Sequence, residues 1–151
     1  MFKVYIIGAG QIGSRHLQAL KKVKVPLEIT VVDPFEQSLA TAKKRYEELS
    51  AGRHAHNLSY LTKTPSGQNI DLAIIATTSD IRAQVTKKLL EKSSVHYLIL
   101  EKLLFDKKSD YETMAKVFSR LNIKVWVNCP LRMRPIYKKI KEDFEDEIIS
   151  F

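Results

Sequence analysis

Three glycines mark the first place in the chain where chemistry can be read: Gly8-Ala9-Gly10-Gln11-Ile12-Gly13. An apolar run from Phe2 to Ile7 leads into them, and Ile12, Leu17 and Leu20 follow at helical spacing, so the order is strand, glycine turn, helix. In such a turn Gly8 lets the chain leave the strand tightly, Gly10 keeps no side chain in the way of a pyrophosphate, and Gly13 lets the helix press on the sheet. The free N–H groups at the helix start, Gln11 and Ile12 among them, and the positive end of the helix dipole then face phosphate.

A glycine turn alone is common, and its test is an acidic residue about 20 positions on. Asp33 meets it, directly after a second strand-like run from Leu27 to Val32. A carboxylate there accepts hydrogen bonds from the adenosine ribose of a dinucleotide and repels a 2′-phosphate, so NAD is expected rather than NADP.

The rest of the chain must position these groups. Phe35 to Leu49 reads as a charged amphipathic helix, Ser50 to Asn57 as a loop, and Leu58 to Leu61 as a short third strand. Thr64-Pro65-Ser66-Gly67 is a turn, and Leu72 to Ala76 has the unbroken apolar character of a central parallel strand. Asp80 is expected to cap the next helix, with Ile81, Val85 and Leu89 on its inner face. Val95 to Leu100 is the next strand, Ser109 the expected cap of a helix whose core stripe is Tyr111, Met114, Val117, Phe118 and Leu121, and Ile123 to Val127 a sixth strand. Met133, Ile136, Tyr137, Ile140 and Phe144 mark one more helix from Pro130 onward, and residues 148–151 read as the start of another strand.

This alternation predicts an α/β fold with a doubly wound, mostly parallel sheet. In that fold ligands lie outside the carboxyl ends of the strands, which selects Gly8 to Gly13, Asp33, Thr77 to Asp80, Glu101 to Leu103 and Asn128 to Arg134 as site candidates.

With 151 residues and 44% hydrophobic content, the chain has length for one compact domain. It shows no basic leader and no apolar run near the ~20 residues of a membrane span, so a cytoplasmic protein away from membranes is expected. The lone Cys129 has no disulfide partner and no spaced Cys and His companions, so it is expected to be a buried thiol, and no metal is expected. The net charge of +8 raises nucleic acid as a partner. The basic residues, however, are spread over every expected helix, and on the last one Lys138 and Lys141 precede Glu142 and Glu145 by four positions. They read as solvated faces, and no nucleic-acid role is expected.

Together these segments resemble the N-terminal NAD(P)-binding domain of the Gfo/Idh/MocA oxidoreductases, the family of glucose-fructose oxidoreductase and inositol dehydrogenase. Gly8 to Gly13 with His16 is similar to its glycine loop and helix, and Ala76-Thr77-Thr78-Ser79 to its Ala-Thr-Pro segment. Glu101-Lys102 is similar to its Glu-Lys-Pro motif, and Arg132-Met133-Arg134-Pro135 to the Arg-Phe-x-Pro segment that leads into its second domain. The resemblance implies a dinucleotide-binding domain over residues 1–128, with residues 129–151 as the connecting helix and first strand of a substrate and oligomerisation domain absent from this chain. It implies cofactor contacts from Gly8, Gly10, Gln11, Ile12, Gly13, Asp33, Thr77, Thr78, Ser79, Glu101 and Lys102, a catalytic role for Lys102, and substrate contacts from Lys102 and Arg132. The expected partners are the dinucleotide and a sugar, cyclitol or nucleotide-sugar alcohol, and a homo-oligomer where the second domain is present. Apart from the resemblance, a lysine closing a buried strand stands where loss of water favours its neutral form.

Two positions depart from the family pattern. Its proline after the lysine is Leu103 here, and because a cis peptide before a non-proline residue costs about 2.5 to 4 kcal/mol, the backbone there is expected to differ. Its histidine early in the helix after the Thr-rich turn is replaced by Arg82, expected on the helix surface rather than on a phosphate. The four histidines, His16, His54, His56 and His96, are expected to be satisfied or solvated; the family's catalytic histidine belongs to the absent half. A non-catalytic dinucleotide-binding or sensing module is the alternative to a dehydrogenase.

Overall fold

A computed structural model describes residues 1–50, 52 and 54–143, apart from the side chains of Arg132 and Met133. The elements run β1 (Phe2–Ile7), α1 (Gln11–Leu20), β2 (Leu27–Val32), α2 (Glu36–Glu47), β3 (Asn57–Leu61), β4 (Asn69–Ile75), α3 (Ser79–Lys92), β5 (Ser94–Glu101), α4 (Lys108–Arg120), β6 (Lys124–Asn128), a 3-10 turn (Pro130–Met133) and α5 (Pro135–Asp143). All five strand pairings are parallel, in the order β3-β2-β1-β4-β5-β6. The sheet is therefore wholly parallel, and its order reverses between β1 and β4, the crevice where doubly wound folds take their ligands. The strand expected at residues 148–151 lies outside the described residues.

Each face of the sheet has its own core. Val4, Ile6, Ile29, Val31 and Ile74 pack with Leu17 of α1 and with Leu39 and Ala42 of α2. On the opposite face Tyr5, Ile7, Ala73, Ile75, Leu98 and Leu100 pack with Leu89 of α3 and Met114 of α4. The central strands are apolar on both sides because helices cover both, which is why their runs show no alternation.

Several expectations need correction. The N-cap position of helix α3 is Thr78, without a side-chain capping bond, and Asp80 lies inside the first turn. Its buried positions are Arg82, Thr86 and Leu89, while Ile81 is exposed. The position before α4 is Lys107, so Ser109 is already helical. Met114 is the buried anchor of α4, whereas Tyr111 and Leu121 are exposed at its margins. Among the described residues the ion pair on α5 is Lys139–Asp143 at 3.7 Å; Phe144 and Glu145, expected on the same helix, lie outside them. Cys129 is half-buried, and the Lys102–Leu103 peptide bond is cis despite the leucine.

Candidate cofactor and catalytic site

Each glycine of the turn meets a different physical demand. Gly8 has φ +96°, a left-handed conformation that side chains rarely adopt, and a Cβ there would stand 3.0 Å from the backbone of Ala76 and Thr77. A Cβ on Gly13 would stand 1.8 Å from the Gly8 carbonyl oxygen, so α1 comes as close to the loop as it does only because this residue has no side chain. A Cβ on Gly10 would meet nothing within 4 Å. Gly10 precedes the first residue of α1, and Gly10, Gln11 and Ile12 are exposed. The helix thus presents its unpaired N–H groups to open space, the arrangement that holds an anion.

Asp33 is 7% exposed and is bound to the loop it was expected to accompany. Its Oδ2 accepts the Ala9 N–H at 2.7 Å, and its Oδ1 accepts the Phe35 N–H at 2.9 Å. Each carboxylate oxygen has a second lone pair, so the group retains acceptor capacity for a ribose hydroxyl while it orders the loop. Ala76 donates its N–H to the Ile7 carbonyl at 2.8 Å, which sets the segment Thr77 to Ser79 beside the glycine turn. The Thr77 hydroxyl there is buried and has no partner among the described residues.

A second cluster closes the other side. Glu101, at the end of β5, accepts at one oxygen, Oε1, from His16 Nε2 and from Asn128 Nδ2, both at 2.6 Å. Three elements, α1, β5 and β6, thereby converge on one carboxylate. His16 is thus satisfied, as expected, but its partner was not foreseen. Asn128 was among the site candidates, since it ends a strand at the carboxyl edge of the sheet. Ile12, Arg15, His16, Glu101, Lys102, Asn128 and Pro130 line a cavity of about 250 Å³ here. A larger cavity, about 550 Å³, lies around Gly67, Ser94 and His96 at the opposite ends of the strands; ligands of this fold bind at the carboxyl ends, so the smaller one marks the site.

Lys102 is exposed at the rim of that cavity, so the loss of water expected for it is not observed. Arg82 reverses its expectation. It is 3% exposed, not on the surface, and its guanidinium donates to the carbonyls of Thr77, Glu101, Leu103 and Leu104. Burial pushes its pKa down from the usual value, and the charges of Glu101 and Asp106 pull it back. Arg132 belongs to the turn after β6, and its side chain lies outside the described residues. Among the described residues no group of three His, Cys, Asp or Glu side chains could hold a metal, and no helix is long and apolar enough to cross a membrane.

A parallel 3-2-1-4-5-6 sheet with a glycine turn after its first strand and a carboxylate after its second defines a dinucleotide-binding Rossmann domain. The chain belongs to the Gfo/Idh/MocA oxidoreductases: the family described as "Oxidoreductase family, NAD-binding Rossmann fold" matches residues 2–129. It is an NAD-binding domain of oxidoreductase type, and the open space at Gly10 with the buried, unpartnered Thr77 hydroxyl fits such a ligand. No curated protein sequence matches the chain.

Solved structures share the fold at low identity. An oxidoreductase from Agrobacterium radiobacter in complex with NAD+, L-tartaric acid and magnesium is 18% identical with TM-score 0.74, covering 99% of this chain and 42% of its own. The WlbA dehydrogenase from Chromobacterium violaceum, in complex with NADH and UDP-GlcNAcA, is 20% identical with TM-score 0.73, over 97% of this chain and 40% of that one. Scyllo-inositol dehydrogenase from Lactobacillus casei, with bound NAD(H) and scyllo-inositol, is 17% identical with TM-score 0.70, over 99% and 42%. The chain thus spans about two fifths of the length of these structures.

Proposed function

We propose that this chain is the cofactor-holding part of a dehydrogenase acting on a hydroxyl carbon of a sugar, cyclitol or nucleotide sugar. The observation that carries the reading is the placement of Lys102 beside the anchored Glu101, on the rim of a cavity that Ile12 of the glycine loop also lines. When bound, NAD supplies the hydride acceptor, and the protein supplies position. Gly10, Gln11 and Ile12 face the phosphates, Asp33 takes the adenosine ribose, and Thr77, Thr78 and Ser79 border the cofactor on the β4 side. Asp33 favours NAD over NADP for the reason of charge given above.

In the forward direction the alcohol carbon gives up a hydride, its hydroxyl loses a proton, and a carbonyl results. Lys102 hydrogen-bonds that oxygen and steadies the charge that changes there; Arg132 is our candidate for a further substrate contact. Relatives bound to UDP-GlcNAcA or scyllo-inositol support this substrate class.

A second reading, a module that binds the dinucleotide without turning it over, is favoured by the exposure of Lys102. Titration with NADH, followed by assay of hydride transfer against a panel of sugars, cyclitols and nucleotide sugars, separates the two. Turnover that falls in Lys102→Ala with NADH affinity retained supports the dehydrogenase. NADH binding with no turnover on any member, in the 151-residue chain and in a chain extended to the length of the relatives, supports the module.

A further inference from the structure

We propose that Arg82 is a positioning residue for Lys102, a proposal that rests on the dehydrogenase reading for its consequence but not for its geometry. Ladder pairing between β5 and β6 ends at Glu101 and Asn128. The carbonyls of Leu103 and Leu104 therefore lie beyond the sheet, and a strand partner does not hold them. Arg82 holds them instead. Its Nη1 donates to the carbonyls of Glu101, Leu103 and Leu104, the last at 3.0 Å, and its Nη2 donates to the carbonyl of Thr77.

These four oxygens belong to two separate segments. Thr77 follows β4 and lies against Gly8, where the dinucleotide turn begins; Glu101 to Leu104 follow β5 and carry Lys102. One planar fork thus spans the gap between the cofactor loop and the lysine. Its own backbone is fixed in turn, because Arg82 is in α3 and its carbonyl accepts from the Thr86 hydroxyl at 2.8 Å. Among the described residues no carboxylate lies within ion-pair distance of it, so its two Nη groups serve the backbone, while its buried Nε–H has no partner there. Arg82 is buried and does not line the cavity that Lys102 borders, so it acts through the lysine's backbone and not on substrate.

The fork shape matters as much as the charge. A lysine has a single nitrogen and cannot present two to opposite segments. Arg82→Lys is therefore expected to retain part of the effect, and Arg82→Met none.

The test uses the 151-residue chain and three readouts: amide exchange at Leu104 and Phe105, binding of ADP and of NADH, and the backbone amide resonance of Lys102. ADP probes the glycine loop and Asp33; only NADH brings a nicotinamide toward Lys102. In Arg82→Met, exchange at Leu104 and Phe105 is expected to rise by about tenfold or more, as local opening becomes easier. ADP affinity is expected to stay within about twofold, while NADH loses about fivefold and the NADH-specific shift at Lys102 collapses. Arg82→Lys is expected to fall between, and it decides the matter should the methionine variant not fold. Wild-type exchange rates in a folded variant, with an unchanged NADH to ADP affinity ratio, overturn the proposal. If the unaltered chain itself shows no NADH-specific shift at Lys102, the dehydrogenase reading fails at that residue, and the exchange rates alone decide whether Arg82 holds the segment.

Discussion

Asp33 binds Ala9: a side-chain oxygen at the end of β2 accepts the backbone N–H in the middle of the glycine turn at 2.7 Å. The residue expected to choose the cofactor also orders the turn proposed to hold its phosphates. Its two backbone hydrogen bonds, to Ala9 and Phe35, are charge-assisted, and such bonds contribute about 1.5 to 3 kcal/mol each. Asp33→Ala is expected to lose stability by about that amount and NADH affinity by about tenfold or more. Asp33→Asn keeps one acceptor oxygen and is expected to lose less of both. Thermal unfolding and NADH titration check this; a variant that weakens binding with no change in stability contradicts the structural half of the role.

The glycines divide stability from binding. Gly13→Ala drives a methyl to 1.8 Å from the Gly8 carbonyl oxygen, so α1 must move off the loop. A loss of about 1 to 3 kcal/mol follows from such overpacking, together with weaker NADH binding. Gly10→Ala meets open space. Its stability is expected to change by no more than about 1 kcal/mol, while NADH affinity falls because the methyl occupies the ground of the phosphates. Equal stability losses in the two variants would refute this division.

The pattern of glycines and strands made the fold legible, because the backbone of a doubly wound sheet imposes it: apolar runs must be buried on both faces, and the turn after β1 must be free of side chains. The Asp33 position was legible for the same reason. What the sequence concealed were contacts fixed by tertiary distance. Arg82 looks like a surface arginine from the residues around it, and only the meeting of the β4 and β5 ends shows four carbonyls waiting for it. His16 and Asn128 lie 112 positions apart and join only through Glu101. The caps misled because Asp80 and Ser109 favour helix starts wherever in the first turn they fall, and propensity does not fix the register to a single residue.

The convergence on Glu101 has its own test. The carboxylate is almost shielded from water, with 9% of its side chain exposed, and His16 and Asn128 share one oxygen. His16→Ala or Asn128→Ala each removes one donor and is expected to cost about 1 to 3 kcal/mol. Because the two share a partner, the double variant is expected to depart from the sum of the singles by about 0.5 kcal/mol or more. Denaturant unfolding of the four proteins measures the coupling, and strict additivity would show that the two contacts act independently.

Alkaline pH probes the opposite margin of the sheet. Tyr60 on β3 has its pKa pushed up to about 12 from 10.0, first by burial and then by the charges of Glu47 and Tyr46. A phenol whose folded pKa is raised holds its proton more tightly in the folded state than in the unfolded chain. Its contribution to stability is therefore complete below pH 10.0 and is lost as pH rises toward about 12. Tyr60→Phe cannot ionise. The gap in unfolding temperature between Tyr60→Phe and the unaltered chain is expected to stay constant below that window and to move in favour of phenylalanine across it. Parallel curves through the whole alkaline range would mean that Tyr60 titrates alike in both states.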